Sequence, residues 1–159
     1  IVAEMGDPQV GTIGRIDLDP NLVNVVARSA TFTVDLRNTD DALLRSAEAR
    51  VAEAIEYLAA AEGATVTSRP LARFEPVAFD ETGVCLVETV ARERGLTVRR
   101  MPSGAGHDAQ MLARVCPTAM IFVPSVDGIS HNPAEHTAPA DLTAGAEVLA
   151  EVMIRLART

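Results

Sequence analysis

The sequence predicts an α/β protein in two parts: an α+β layer, one sheet with a helix on one face, followed by a parallel-sheet segment. Three observations carry this. Residues 31–37, TFTVDLR, alternate strictly, with Phe32, Val34 and Leu36 facing one way and Thr31, Thr33, Asp35 and Arg37 the other. Leu44, Ala47, Val51, Ile55 and Leu58 then recur at three and four, which is one apolar helix face. After Asp80, helical and strand patterns alternate as α-β-α-β-α, the order that builds a parallel sheet with helices on its faces. A composition shift over Phe74–Asp80 separates a first domain, 1–75, from a second, 76–159.

In chain order, GTIGRIDL (11–18) reads as a strand with Ile16 and Leu18 on one face, and Asp19-Pro20-Asn21 as a turn. Leu22–Val26 is a short β-branched segment holding Asn24. TFTVDLR is a half-buried antiparallel strand. Asn38-Thr39-Asp40-Asp41 supplies an N-cap and an acidic first turn for the long helix, and Gly63 stops it. ATVTSRPLARFEP reads as an edge strand, since Pro70 interrupts its alternation. The order up to about residue 75 is therefore β-β-β-α-β.

In the second part, Val84, Val87, Val90 and Ala91 mark a helix ending at Gly95, and LTVRRM a short strand. SGAGHDA leads into a helix over 108–115, stopped by Cys116-Pro117. TAMIFVP is a buried strand and VDGISHNPAEHTAP a long polar loop. Leu142, Ala146, Leu149, Met153 and Leu156 define the last amphipathic helix.

The 159 residues are 48% hydrophobic and 23% charged, an ordinary globular balance, and long enough for a real core. A net charge of −8 excludes a nucleic-acid or anionic-membrane partner, because phosphate binding needs a basic face. Arg92, Arg94, Arg99 and Arg100 are interleaved with acids and read as a solvated surface. No apolar run reaches the roughly 20 residues that span a bilayer, and there is no signal-peptide pattern. Cys85 and Cys116, in apolar surroundings without CxxC spacing, read as two buried, reduced thiols of a cytoplasmic protein.

Chemistry gathers in Met101–Thr137, which holds all three histidines, His107, His131 and His136. His131 follows the TAMIFVP strand at its carboxyl end, the crevice side of an α/β sheet. It suits either a zinc ligand, its ring held by Asn132 or Glu135, or a histidine that only hydrogen-bonds its loop. One imidazole cannot build a site that wants three protein ligands. Ser103–Asp108 reads either as a ligand loop, its glycines letting backbone N–H groups approach an anion, or as a tight turn with Asp108 capping a helix. Ser103 with His107 does not form a nucleophile elbow. Arg37 is either a surface ion pair with Asp35 or a bidentate clamp for a carboxylate, with Asn24 adding a hydrogen bond to the same group.

These motifs together, GRIDLDPNLVNV…FTVDLR, SGAGHDA, MIFVP and GISHNPAEHT, resemble the zinc-dependent amidohydrolases of the hydantoinase/carbamoylase group. That group comprises N-carbamoyl-L-amino-acid hydrolases, β-ureidopropionases and allantoate amidohydrolases, relatives of the M20 metallopeptidases. The resemblance runs collinearly over nearly the whole chain. It implies a two-metal catalytic α/β domain interrupted by a smaller dimerisation domain, so that 1–75 corresponds to most of the insert and 76–159 to the C-terminal part of the catalytic domain. It makes His131 a metal ligand and gives Arg37 and Asn24 the substrate carboxylate. Gly104, Gly106 and His107 line the pocket.

The family's other metal ligands and its catalytic glutamate have no counterpart in this sequence, so no catalytic residue is assigned within it. The chain also reads Asn24-Val25-Val26-Ala27-Arg28 where the family often has NVIPG. The expectation is the C-terminal portion of a homodimeric hydrolase that uses zinc or manganese on a small carboxylate-bearing substrate, and that is inactive alone. The alternative is a non-catalytic dimerisation or carboxylate-binding module.

Overall fold

The computed structural model describes residues 1–158, and these divide into two compact units, the first Ile1–Pro76 and the second from Val77 on. In the first unit a short helix α1 (Val2–Met5) precedes strands β1 (Val10–Asp19) and β2 (Ser29–Arg37), which pair antiparallel. The register puts Gly11, Ile13, Ile16 and Leu18 opposite Leu36, Val34, Phe32 and Ala30, so all the large apolar residues of both strands except Val10 share one face. Ile13 and Ile16 are three apart and share that face only because a bulge at Gly14 inserts one unpaired residue.

Helix α2 (Asp41–Ala61) begins at Asp40, whose side chain accepts from the Leu43 N–H at 3.0 Å. It ends at Gly63, which takes a left-handed φ of 66°. Leu44 and Ala47 of its predicted apolar face are buried, whereas Leu58 is exposed.

Two expected strands are not present in this unit. Leu22–Val26 is a turn closing the hairpin, pinned where the Arg28 guanidinium meets Asp19 Oδ2 at 2.7 Å. Residues 64–76 form no ladder either. They are fastened to α2 by charge: Arg73 bridges Asp41 at 2.6 Å and Glu48 at 3.0 Å, and Arg45 reaches Glu75 at 3.1 Å. The observed order is thus α-β-β-α. The hairpin is also less buried than its alternation suggests, with Phe32 and Val34 each 40% exposed.

The second unit is built on helices α3 (Glu81–Glu93) and α5 (Pro139–Leu156), with a short α4 (Asp108–Leu112) between them. Asp80 caps α3 by accepting from the Gly83 N–H at 2.7 Å, and Gly95 stops it with φ 74°. The core is Val90 and Ala91 of α3 with Val148 and Val152 of α5, joined by Leu96, Val98 and Ile121. The α5 stripe read from sequence lies on the other side: Leu142, Leu149, Met153 and Leu156 are all half exposed or more. Both stripes are apolar, and periodicity alone does not say which one faces α3.

LTVRRM and TAMIFVP form no strand among the described residues and neither is paired into a sheet, so the expected parallel sheet is absent there. Their burial alternates as strands require: Leu96, Val98, Ile121 and Val123 are half-buried while Thr97, Arg99, Phe122 and Pro124 are exposed. Helix α4 ends at Leu112, and turns carry the chain on to Cys116. The thiols are free but both exposed, against the expectation of burial; Cys85 lies within 3.1 Å of the Arg100 guanidinium. The arginine cluster is a solvated, ion-paired surface as read: Arg92 pairs with Glu88, Arg94 with Glu147, and Arg100 with Glu81 and Glu88. No helix among the described residues is long and apolar enough to cross a membrane.

Candidate functional site

Arg37 closes β2 on its polar face. Residues two apart on a strand point the same way, so its guanidinium and the Asp35 carboxylate meet side by side. Arg37 Nε donates to Asp35 Oδ1 and Oδ2 at 3.1 and 3.3 Å, and Nη2 donates to Oδ2 at 2.7 Å. The hydrogen bonds from Arg37 hold the Asp35 carboxyl below the usual carboxylate range, and Asp35 in turn raises the Arg37 guanidinium. The fork is therefore already in carboxylate-binding geometry.

Its backbone is fixed by a residue that sequence reasoning missed. Gln9, the only buried polar residue among those described, donates from Nε2 to the Arg37 carbonyl at 3.2 Å and accepts from Asn38 Nδ2 at 2.9 Å. Nothing in the local sequence marks a glutamine before a strand as a clip between two strand ends.

Asn24 sits in the turn at the other end of the same hairpin. Arg37 pairs with Val10, whereas Ser29 and Asp19 flank the turn. Eight residue steps at about 3.3 Å each separate the two ends by about 26 Å. The hairpin thus holds Asn24 and Arg37 at its opposite ends and does not bring the two side chains together.

In the second unit His107, not Asp108, caps α4: its Nδ1 accepts from the Ala109 N–H at 3.0 Å. That bond requires an unprotonated Nδ1, so the neutral ring carries its proton on Nε2 and offers a donor there. Gly104 and Gly106 precede it without positive φ, and a Cβ at either would meet nothing within 4 Å. Packing within the chain does not require glycine at these positions, and the loop is open to close approach by another group.

His131 is exposed and holds a left-handed φ of 56°, uncommon for a residue with a side chain. The loop around it is tightly tied. Ser125 Oγ donates to the Ile129 carbonyl at 2.5 Å, and the Val126 N–H to the His136 carbonyl at 2.8 Å. Glu135 accepts from the His131 backbone N–H at 2.8 Å, and Asn132 Oδ1 from the Ala134 N–H at 2.9 Å. Both candidate ring partners thus hold backbone instead; they fix the loop, not the imidazole.

Among the described residues no group of three or more His, Cys, Asp or Glu side chains lies close enough to hold a metal ion. The residues present do not form a metal site by themselves, since such a site needs at least three protein ligands.

Residues 1–155 match the family model described as peptidase family M20/M25/M40. The chain belongs to this family. Among its M20 relatives, the allantoate amidohydrolase of Escherichia coli (strain K12) is 40% identical over 153 residues, covering 96% of this chain and 37% of the relative. The N-carbamoyl-L-amino-acid amidohydrolase of Rhizobium meliloti is 36% identical over 148 residues, 93% of this chain and 36% of the relative. The crystal structure of an amidase of the hydantoinase/carbamoylase family from Burkholderia vietnamiensis superimposes with a TM-score of 0.91 at 39% identity, over 97% of this chain and 38% of that one. AtUAH, solved in complex with glyoxylate, gives 0.93 at 27% identity, over 99% of this chain and 38% of that one. The chain therefore spans less than two fifths of the length of these M20 proteins, and its fold matches that part of the amidohydrolase fold.

Proposed function

We propose that residues 1–159 are the C-terminal portion of a metal-dependent hydrolase. It would cleave a linear amide or ureido C–N bond in substrates that resemble N-carbamoyl amino acids. The observation that carries this reading is the collinear 40% identity to an allantoate amidohydrolase, with all the resembling motifs in order. In this reading 1–75 is an incomplete dimerisation domain and 76–159 belongs to the catalytic domain. Arg37 exchanges Asp35 for the substrate carboxylate, and His107 offers its Nε2–H to the pocket that Gly104 and Gly106 leave open. His131 contributes one imidazole toward zinc or manganese. The remaining ligands and the general-base glutamate come from outside 1–159, so the piece alone is inactive.

The 26 Å hairpin constrains the assembly. If Asn24 and Arg37 both serve a substrate carboxylate, they serve it from different copies, which supports a homodimer. The surface agrees with an incomplete body. It measures 12061 Å², whereas two separate bodies of half this mass would expose about 9,200 Å². A cytoplasmic location goes with the same reading.

Purified 1–159 supplied with zinc or manganese should release no ammonia from allantoate and should leave N-carbamoyl amino acids uncleaved. Turnover that a chelator abolishes would overturn the inactivity. A second reading, a free-standing carboxylate-binding module, is favoured by the preformed Arg37–Asp35 fork alone. Calorimetry with an N-carbamoyl amino acid, comparing the chain with Arg37→Ala, decides it, and binding lost in the variant would support the module.

A further inference from the structure

The end of the hairpin that carries Arg37 is held differently from the rest of it. Val10–Arg37 is the last rung of the ladder, and terminal rungs fray unless something else ties them. The main chain before Val10 does not continue the pairing, because the Gln9 N–H turns back to the Gly6 carbonyl at 2.9 Å. The Gln9 side chain takes over instead. Its Nε2 donates to the Val10 carbonyl at 2.9 Å and to the Arg37 carbonyl at 3.2 Å, so one amide joins both sides of the last rung. Its Oε1 accepts from Asn38 Nδ2 at 2.9 Å, and Asn38 Oδ1 accepts from the Asp40 N–H at 2.9 Å. Asp40 in turn caps α2 through the Leu43 N–H. One chain of hydrogen bonds thus ties the Arg37 end of β2 to β1 and to the start of α2.

A buried amide is costly unless its hydrogen bonds are made, and an apolar side chain would fill the same space without that cost. Gln9 is only 7% exposed. Apart from the adjacent Val10 carbonyl, the groups it bonds belong to residues 37 and 38. What the amide secures is therefore the backbone from which the Arg37 side chain projects. A bidentate clamp depends on that backbone. The guanidinium is a planar fork, and a small rotation beneath it swings the fork out of a carboxylate's plane. Asp35 lies further inside the ladder, opposite Thr12, and keeps its place whether or not the last rung holds. The Arg37–Asp35 contact, 2.7 Å at its shortest, therefore reports where the guanidinium points.

We propose that Gln9 is a positioning residue for the carboxylate clamp at Arg37, acting through the Arg37 carbonyl and the Asn38 side chain without touching the ligand. What the clamp holds rests on the proposed function; how its fork is aimed does not.

Three variants of 1–159 test this by NMR, read at the Arg37 Nε–H and the Asp35 carboxyl. Gln9→Leu keeps the bulk and removes the hydrogen bonds. Gln9→Glu keeps the shape: protonated, it still donates to the Arg37 carbonyl and accepts from Asn38, whereas ionised it only accepts. Leu44→Ala weakens the same unit through its core and leaves the clip intact. In Gln9→Leu the Arg37 Nε–H should exchange at least tenfold faster than in the wild type at the same pH. Its Asp35 midpoint should rise toward the ordinary aspartate value near 4. Gln9→Glu should show the faster exchange at neutral pH and return to wild-type behaviour as the buried carboxyl takes up its proton. Leu44→Ala should melt lower with both signals unmoved.

Wild-type signals in Gln9→Leu overturn the inference. An equal loss in Leu44→Ala also overturns it, since the effect is then one of stability alone. If Gln9→Leu does not fold, the pH-reversible loss in Gln9→Glu decides the same point, and its absence sinks the positioning role. Adding N-carbamoyl-L-alanine separates this role from the proposed function. A ligand-induced shift of the Arg37 Nε signal that needs at least fivefold more ligand in Gln9→Leu supports both. Equal responses in the two proteins overturn the inference and leave the proposed function standing. A wild type that gives no response, with the fork lost in Gln9→Leu, keeps the positioning role and counts against a carboxylate ligand at Arg37.

Discussion

The two units are incomplete in opposite ways. The hairpin of the first has its main-chain ladder, nine register pairs from Val10–Arg37 to Asp19–Ser29, yet its apolar face is largely open and only Leu44 and Ala47 are buried apolar residues in that unit. The second has a true side-chain core, with Val90 fully buried, yet its two strand-like segments have no ladder. Hydrogen bonding and burial usually arrive together in a sheet. Their separation here shows that a hairpin can pair without being covered, and that a helix pair can organise extended chain without pairing it.

The contrast is broken or sharpened first in the cores. Val90→Ala removes two methyl groups from a fully buried site and should cost the second unit about 2 kcal/mol. Leu44→Ala should cost the first about 2 kcal/mol or slightly more, but through a site with fewer buried neighbours to hold the cavity open. Urea melts with probes in each unit report both. A loss from Leu44→Ala well above that from Val90→Ala would mean the hairpin face is covered in solution.

The caps come next and treat the units alike. Asp40→Ala and Asp80→Ala each remove a side-chain acceptor from a helix start, at about 1 kcal/mol apiece. Unequal losses, read from the same melts, would show that one helix is held by something other than its cap and core.

The smallest effect is electrostatic. The Asp35 carboxyl is depressed by hydrogen bonding to Arg37, so the pair's contribution is fully present above the ordinary aspartate value near 4 and fades as pH falls through the depressed one. In the second unit Glu81, Glu88 and Glu93 are depressed by Arg100 and Arg155 and lose their contributions on the same acid side. Both units should weaken together below about pH 4 and less so in high salt, because these pairs are exposed. Carboxyl titration by NMR checks the order: an Asp35 midpoint at or above the ordinary value would remove the Arg37 fork from solution.

Local chemistry was legible where a residue acts on its own neighbours. The alternation of TFTVDLR, the acidic start of α2, and the stops at Gly63 and Gly95 could all be read from sequence. The misses share a physical cause. LTVRRM and TAMIFVP have strand patterns that a strand partner would have to complete, and 64–76 is held by side-chain charge instead of a ladder. On α5 two apolar stripes compete, and only the neighbour decides between Val148–Val152 and Leu149–Met153. At the candidate site, residue types pointed to Arg37 and His107, but not to the Gln9 clip, the Nδ1 cap or the placement of Asn24 and Arg37 at opposite ends of the hairpin.

The bulge at Gly14 gives β1 some slack in length. Residues before and after it already sit on matching faces, so a gene that lost this one codon would encode a straighter ribbon with Ile13, Ile16 and Leu18 still on the side of Phe32 and Val34. A codon lost near Leu18 would have to be absorbed back through the strand, turning several side chains over on the way. Length variation in this hairpin should therefore be tolerated at Gly14 and in the turn at 20–28, and resisted everywhere between.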